Sequence, residues 1–474
     1  MIAKESPVRR PSPLVPALLV PALLLAPSAA CAPAGTTVRT AEQPPVAGAK
    51  GVGDPLFPTM GNGGYDVRHY AIALSWEPKG NALTGRAEID ARTDRALSSF
   101  SLDFHGMDVT GATVDGTPAA VSRRGDELRL TPPHPLAADA PFTTVISYRG
   151  TPLTITDPDG AKEGWLPSPD GAVALGEPNG SMTWFPGNHH PSDKAAYDLS
   201  VSVPEDLTAV SNGELSKQET SGGRTVFAWH TAEPMASYLA TVAIGKFRLE
   251  RGGGRTVPQT VALHTAQAAH AVKVPAQVAA MTDWGARLFG PYPFSSTGAT
   301  VGSGPLTKYA LETQTRPFFT HAPDELSLVH EITHQWFGDS VTPRTWRDMW
   351  LNEGFATYGE WLWEEQHDGV GAARSFDEYN ALDRHDKIWS FPPANPPSAA
   401  HISDDPVYYR GAMALHRLRE TVGDSDFFTI LRTWATEHRH ANVRTEDFTS
   451  LCEKVSGKNL KSLFDTWLYR QGKP

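Results

Sequence analysis

From Tyr65 onward the chain alternates. In YAIALSW the residues Tyr70, Ile72, Leu74 and Trp76 fall on one side and the residues between them on the other; in FSLDF the apolar side is Phe100, Leu102 and Phe104. A period of two is that of a β-strand, whose side chains point by turns to the two faces of a sheet. TTVISY, YDLSVSV and ASYLATVAIGKF carry the pattern to about residue 250, with Asp115-Gly116 and Asn212-Gly213 as turn signals between runs. The expectation is an N-terminal antiparallel β domain, a saddle or sandwich, over residues 57–250.

The texture changes at Gly252-Gly253-Gly254. One further strand, TVALHT, is followed by apolar residues at helical spacing in PAQVAAMTDWGARLF, DELSLVHEITHQWF, WLNEGFATYGEWLWEEQ, YRGAMALHRLRETV and DFFTILRTWATEH. Asp324 stands where the second of these helices would take its N-cap. FPPANPPSAAHISDDP, residues 391–406, is a loop on proline content alone. Residues 255–474 therefore read as a second, mostly helical domain. With 474 residues, a chain of two or three domains is expected.

The N-terminal region has its own pattern. Lys4, Arg9 and Arg10 precede PLVPALLVPALLLA, an apolar run broken by prolines and too short for a spanning helix, which needs about twenty apolar residues. Residues 1–30 read as a signal peptide and the chain as exported. The run PSAAC resembles a bacterial lipobox, with Ser28 standing where that pattern has leucine. Two outcomes stay open: a lipid on Cys31 that holds the chain at the outer face of the membrane, or ordinary cleavage and secretion. Residues 31–56, rich in Ala, Pro, Gly and Thr, read as a flexible linker.

Composition narrows the function. A formal net charge of -11 argues against a nucleic-acid partner, which needs clustered Lys and Arg. Two cysteines, Cys31 and Cys452, exclude a disulfide framework, and Cys452 reads as a buried small hydrophobe.

The chemistry lies in SLVHEITHQWFGD. Positions i and i+4 of a helix share a face, so His330 and His334 can offer two imidazole nitrogens to one ion about 2.0–2.1 Å away. A catalytic zinc site takes three protein ligands and leaves its fourth position to water. Glu353, in WLNEGFATYGEW, is the candidate third ligand: eighteen residues separate it from His334, enough for a turn and the start of a second helix packed on the first. Glu331 sits beside the pair as a base for a water acidified by the metal.

HEITHQWFGD followed by WLNEGFATYGEWLW resembles the aminopeptidase N family of gluzincin zinc peptidases, and FGPYPF and FDTWLYRQGKP look like further landmarks of that family. The resemblance covers nearly all of the chain after residue 55. It implies a β saddle followed by a thermolysin-like, mostly helical domain, one Zn2+ per chain held by His330, His334 and Glu353, and Glu331 as general base. It also implies an anchor for the substrate amine on Glu312, within Tyr309-Ala310-Leu311-Glu312-Thr313 where the family has a Gly-x-Met-Glu-Asn strand, and a second amine ligand on Glu177. A tyrosine in a Tyr-x-Lys-Gly context, which stabilises the oxyanion in the family, falls on Tyr408, with Arg410 for the lysine; Tyr409 is its neighbour. His189 and His190, followed by Pro191, read as a solvated turn.

The implied partners are peptides with a free N-terminal amine, and the oligomeric state stays open. The chain ends where the resemblance puts the end of the family's catalytic domain, so the expectation is a cleft without the large helical C-terminal domain of many relatives and wider access for peptides. Two other readings share the residues: a zinc endopeptidase, and a catalytically inactive cell-surface binding module.

Overall fold

The computed structural model describes residues 44–304 and 306–474; the expected signal peptide of residues 1–30, Cys31 and the expected linker up to residue 43 lie outside the described residues. Strands β1 (Tyr65–Glu77), β2 (Ala82–Thr93), β3 (Pro141–Gly150), β4 (Lys162–Pro167), β5 (Ala172–Leu175), β6 (Lys194–Pro204), β7 (Arg224–Ala236) and β8 (Val242–Gly245) carry the N-terminal domain. An eight-stranded sheet contains the run β7-β6-β1-β2-β3, antiparallel except where β6 lies parallel to β1. A five-stranded sheet contains β4-β5-β8. The alternating residues of β1 are buried as their period requires: Tyr70, Ile72, Leu74 and Trp76 are each no more than 3% exposed.

The strand through Phe100 departs from simple alternation. Ser101 and Asp103 are buried as well as Phe100, Leu102 and Phe104. Both faces are covered, and Asp103 satisfies its carboxylate by accepting from Gly61 N, Asn62 Nδ2 and His189 N.

Two boundaries move. The described part of the expected linker does not run free. Val46–Ala47 pairs with the strand starting at Leu97, Ala49–Lys50 pairs with Asn62–Gly63, and Asp54 is buried, accepting from Leu56 N, Phe57 N and Trp346 N. Backbone hydrogen bonds hold this stretch with hardly an apolar side chain, which is why composition misread it. The chain passes from one sheet to the next between Gly245 and Phe247, a few residues ahead of the expected division near residues 250–255. Strand β9 (Phe247–Gly253) pairs antiparallel with β10 (Pro258–His264), so the three glycines form a hairpin end inside the second domain's sheet. That sheet continues through β11 (Thr297–Val301) to β12 (Phe318–Phe319).

The second domain is otherwise helical, as expected: α1 (Val274–Phe289), α2 (Glu325–His334), α3 (Trp350–His367), α4 (Ala372–Asn380), α5 (Gly411–Val422), α6 (Asp424–Glu437) and α7 (Thr445–Ser456). Asp324 caps α2 by accepting from Ser327 N at 2.8 Å. Leu328, Val329 and Ile332 bury its core face. Helices α3 and α5 cross closely at two glycines: a Cβ on Gly354 would meet the Gly411 backbone at 2.9 Å. This approach carries Tyr408, three residues ahead of Gly411, toward Glu353. Cys452 is buried, as its setting suggested.

Polar contacts tie the domains together. The Lys194 ammonium on β6 donates to Asp339 O at 2.9 Å, Ser340 O at 2.9 Å and Thr342 Oγ1 at 2.7 Å, in the turn that follows α2. Arg316, 1% exposed, donates to Thr260 O and Gly213 O and lies over the Trp229 ring. His190, expected in a solvated turn, is 2% exposed, with Nε2 3.2 Å from Asp54 Oδ2. His189 is 3% exposed and bonds Phe185 O. Covered by both domains, the two histidines serve packing. Replacing Lys194 with Met should leave buried acceptors unpaired and lower unfolding stability by about 1–3 kcal/mol, measured by denaturant titration of both proteins; an unchanged midpoint would show that the grip on the turn is not stabilising.

Candidate metal centre and active site

Helix α2 presents His330 and His334 on one face toward the first turn of α3, where Glu353 points back at them. His330 Nε2 and His334 Nε2 lie 3.3 and 3.4 Å from Glu353 Oε2. The other nitrogen of each ring is held from behind. His330 Nδ1 lies 2.6 Å from Glu360 Oε1, and His334 Nδ1 lies 3.1 Å from Phe337 O. Such partners fix the tautomer that leaves Nε2 free as a ligand. Gly338, at φ 134°, turns the chain just after α2, and a Cβ there would meet His334 Nδ1 at 3.1 Å.

The donor set fits zinc. Four ligands at about 2.0–2.1 Å in a tetrahedron stand about 3.3–3.4 Å apart, which is the separation of the histidine nitrogens from Glu353 Oε2. Burial opposes charge on His330 and His334, yet Glu353, with Glu360 at His330, outweighs it and raises both pKa values. Burial likewise opposes charge on Glu353, but His334 and His330 bring its carboxyl down to about 2.

A second group of carboxylates adjoins the first. One oxygen each from Glu177, Glu312 and Glu353 lie within 4.8 Å of one another. Oε1 of Glu177 and Oε1 of Glu312 are buried without a hydrogen-bond partner. Burial, then mutual repulsion, pushes Glu177 well above the usual carboxyl range; burial also raises Glu312, against the pull of His334. A single ammonium, with donors reaching acceptors at about 2.8 Å, can satisfy both.

Glu312 is fixed from two sides. Leu311 pairs with Phe318 by two backbone hydrogen bonds, and Gln335 at the end of α2 donates to Glu312 O at 3.2 Å. Only this single bridge stands where a strand was expected. Glu331 is 7% exposed with Oε2 unpartnered, and burial, only partly offset by His330 and His334, lifts its carboxyl to about 7. An ion between the histidines would add positive charge beside it and pull that value down.

The structure also separates the two tyrosines. Tyr408 lies with its ring 6.1 Å from that of His330 at an interplanar angle of 20°. Burial, then Glu353, raises its pKa well above the usual value, so it remains a protonated donor. Tyr409 instead stacks on Tyr379 with ring centroids 4.5 Å apart. His330, Glu331, His334, Glu353, Glu312 and Glu177 all open onto one cavity of about 340 Å³, with Tyr408 beside them. Every site residue picked from the sequence is therefore brought together.

Sequence reasoning missed Glu360 and an acidic turn that lines the cavity, Asp157 and Asp159. Glu360 was within reach, since it lies seven residues after Glu353 and so on the same face of α3. The turn carried no such signal, because it is a local hairpin tip between Thr154–Thr156 and Lys162–Pro167, and the zinc helix it faces lies far away in the chain.

Comparison with known proteins gives matches in both parts of the chain. The model described as "Peptidase M1 N-terminal domain" matches residues 67–239, and "Peptidase family M1 domain" matches residues 321–467. Tricorn protease-interacting factor F2 of Thermoplasma volcanium is 28% identical over 63% of this chain and 40% of its own length. Glutamyl aminopeptidase of Bos taurus is 27% identical over 63% of this chain and 34% of its own length. The chain thus spans well under half the length of these curated relatives. A crystal structure of an M1 zinc metallopeptidase from Deinococcus radiodurans superposes with a TM-score of 0.83 at 28% identity, covering 90% of this chain and 98% of that one. A mutant of that protein, bound to a Tyr-Ser-Ala substrate, gives a TM-score of 0.82 at 28% identity, over 88% of this chain and 97% of that one.

Because the pKa values of His330 and His334 are raised, protons compete with the metal, and affinity falls as pH is lowered through those values. A chelator-competition titration should show weaker zinc binding at pH 5.5 than at 7.5. At pH 7.5, Glu360→Ala should bind about 10–100-fold more weakly than the parent. Equal affinity in all three measurements would contradict the ligand set.

Proposed function

The chain belongs to peptidase family M1, and we propose that it is a zinc-dependent aminopeptidase that removes the first residue of peptides with a free N-terminal amine. The observation that carries this reading is the closeness of the two groups around Glu353. The α-nitrogen and first carbonyl carbon of a peptide are about 2.5 Å apart. Carboxylates that grip an amine next to a metal trio therefore leave room for one residue ahead of the bond to be cut. An endopeptidase would have to lay a neutral chain across two buried, unpaired carboxylates, which is costly.

Zinc held by His330, His334 and Glu353 would supply a Lewis acid and a water that ionises near neutral pH. The chain's own residues do the rest. Glu177 and Glu312 hold the α-ammonium by charge-assisted hydrogen bonds. Glu331, whose Oε2 has no protein partner, takes the proton of the attacking water and passes it to the departing amine as the C–N bond breaks. The Tyr408 hydroxyl, kept protonated by its surroundings, donates to the oxyanion that forms when the carbonyl is attacked. Glu360 holds the His330 ring in place.

With a leucine chromogenic substrate, the free-amine form should be cleaved at least about 100-fold faster than its N-acetylated form. Glu331→Gln should keep its zinc while losing about 10²–10⁴-fold in kcat. Faster cleavage of the acetylated substrate would point to the endopeptidase; an inactive parent that binds zinc would point to a binding module.

Export belongs to the same proposal. It is supported by Lys4, Arg9, Arg10, the apolar run after them and the small residues ahead of Cys31, with the mature chain either lipid-bearing at Cys31 or released. Among the described residues no helix is long and apolar enough to cross a membrane. Fractionation of cells expressing the full chain, with N-terminal sequencing, should find residues 1–30 removed; an uncleaved chain in the cytosolic fraction would contradict export.

A further inference from the structure

The cavity of the metal trio holds more negative charge than hydrolysis requires. Asp157, Asp159, Glu177, Glu312, Glu331 and Glu353 all line it, and no lysine or arginine does among the described residues. A dication at Glu353, an α-ammonium between Glu177 and Glu312, and the base Glu331 employ four of these six acidic groups and leave Asp157 and Asp159 without a role. Glu312, 3% exposed with an unpartnered oxygen, shows independently that the cavity is built around a cation. The α-ammonium takes that place and leaves the two aspartates over.

Asp157 and Asp159 sit on the turn before β4. One oxygen from each accepts from the same donor, Ala161 N, at 2.8 Å. Sharing one N–H brings the two carboxylates together, and burial followed by Asp159 pushes Asp157 up to about 7. The nearest cation along the chain, Lys162, donates to Thr156 Oγ1 instead.

The pair lies on the amine side of the cavity. The Tyr309 hydroxyl, which donates to Lys162 O at 2.7 Å, is raised in pKa by burial and then by Glu163, Glu177, Asp157 and Asp159. Tyr408, beside the histidines, is raised by burial and then by Glu353, Glu177, Glu312 and Glu331. A residue whose α-amine rests between Glu177 and Glu312 shares the cavity with the aspartates.

We propose that Asp157 and Asp159 select peptides whose first residue is arginine or lysine, an inference that rests on the aminopeptidase reading above. A guanidinium presents a fork of donors that matches carboxylates, and an ammonium presents three donors on a flexible stem. A neutral side chain would bring the two acidic groups no donor beyond the Ala161 N–H that they share.

The test uses the zinc-loaded chain with four free-amine aminoacyl fluorogenic substrates: arginine, lysine, leucine, and citrulline, which has nearly the shape of arginine without its charge. The arginine and lysine substrates should exceed the leucine one in kcat/KM at least tenfold, and arginine should exceed citrulline by a similar factor. In Asp157→Asn/Asp159→Asn, which keeps an oxygen acceptor for Ala161 N at each position, the arginine-to-leucine ratio should fall at least tenfold. A parent that cleaves the leucine or citrulline substrate as well as the arginine one overturns the preference and leaves the aminopeptidase reading intact. So does a double variant that folds with an unchanged ratio. A parent that cleaves none of the four overturns the aminopeptidase reading itself, and this inference with it.

Discussion

Glu353 facing two histidines is the contact on which the rest of the structure depends. A carboxylate buried this deeply would be costly alone; it is stable because His330 and His334 converge on one of its oxygens. That requirement sets the packing of α2 on α3. It also sets the cap at Asp324, which starts α2 in the right place, and the turn at Gly338, which ends it against His334 Nδ1. The near-contact of Gly354 with Gly411 then brings Tyr408 over the same point.

The β domain completes the site as well as flanking it. Glu177 comes from the chain just after β5, and the acidic turn comes from just before β4. Lys194 on β6 grips the turn that follows α2. The metal ligands thus belong to one domain and the amine ligands to both, and any loosening between the domains would separate Glu177 from Glu312. Burial of Arg316 between backbone carbonyls of both domains holds that relation rigidly.

Much of this was legible in the sequence, and the limits have physical causes. His330, His334 and Glu331 could be read because a helix repeats every 3.6 residues, so four positions fix a shared face. Glu353 could be read because a short connection forces the next helix to pack on the last. Glu177, Glu312 and Tyr408 came from family resemblance, since no local period links groups on separate elements; Tyr408, not Tyr409, is the one that lies beside His330. The histidines at 189 and 190 were misjudged because proline beside them suggested an exposed turn, whereas the second domain covers it. The stretch around Asp54 was misjudged because backbone pairing leaves no mark on composition, and the glycines at 252–254 because a hairpin end and a linker share the same residues.

Two sets of side chains around Glu353 could in principle take an ion: the histidine pair, or Glu177 with Glu312. X-ray absorption at the zinc edge on the zinc-loaded chain separates them directly. The account predicts a four-coordinate ion with two imidazole nitrogens at about 2.0–2.1 Å and carboxylate and water oxygens completing the shell. An all-oxygen shell without imidazole scattering would place the ion among the carboxylates and contradict it.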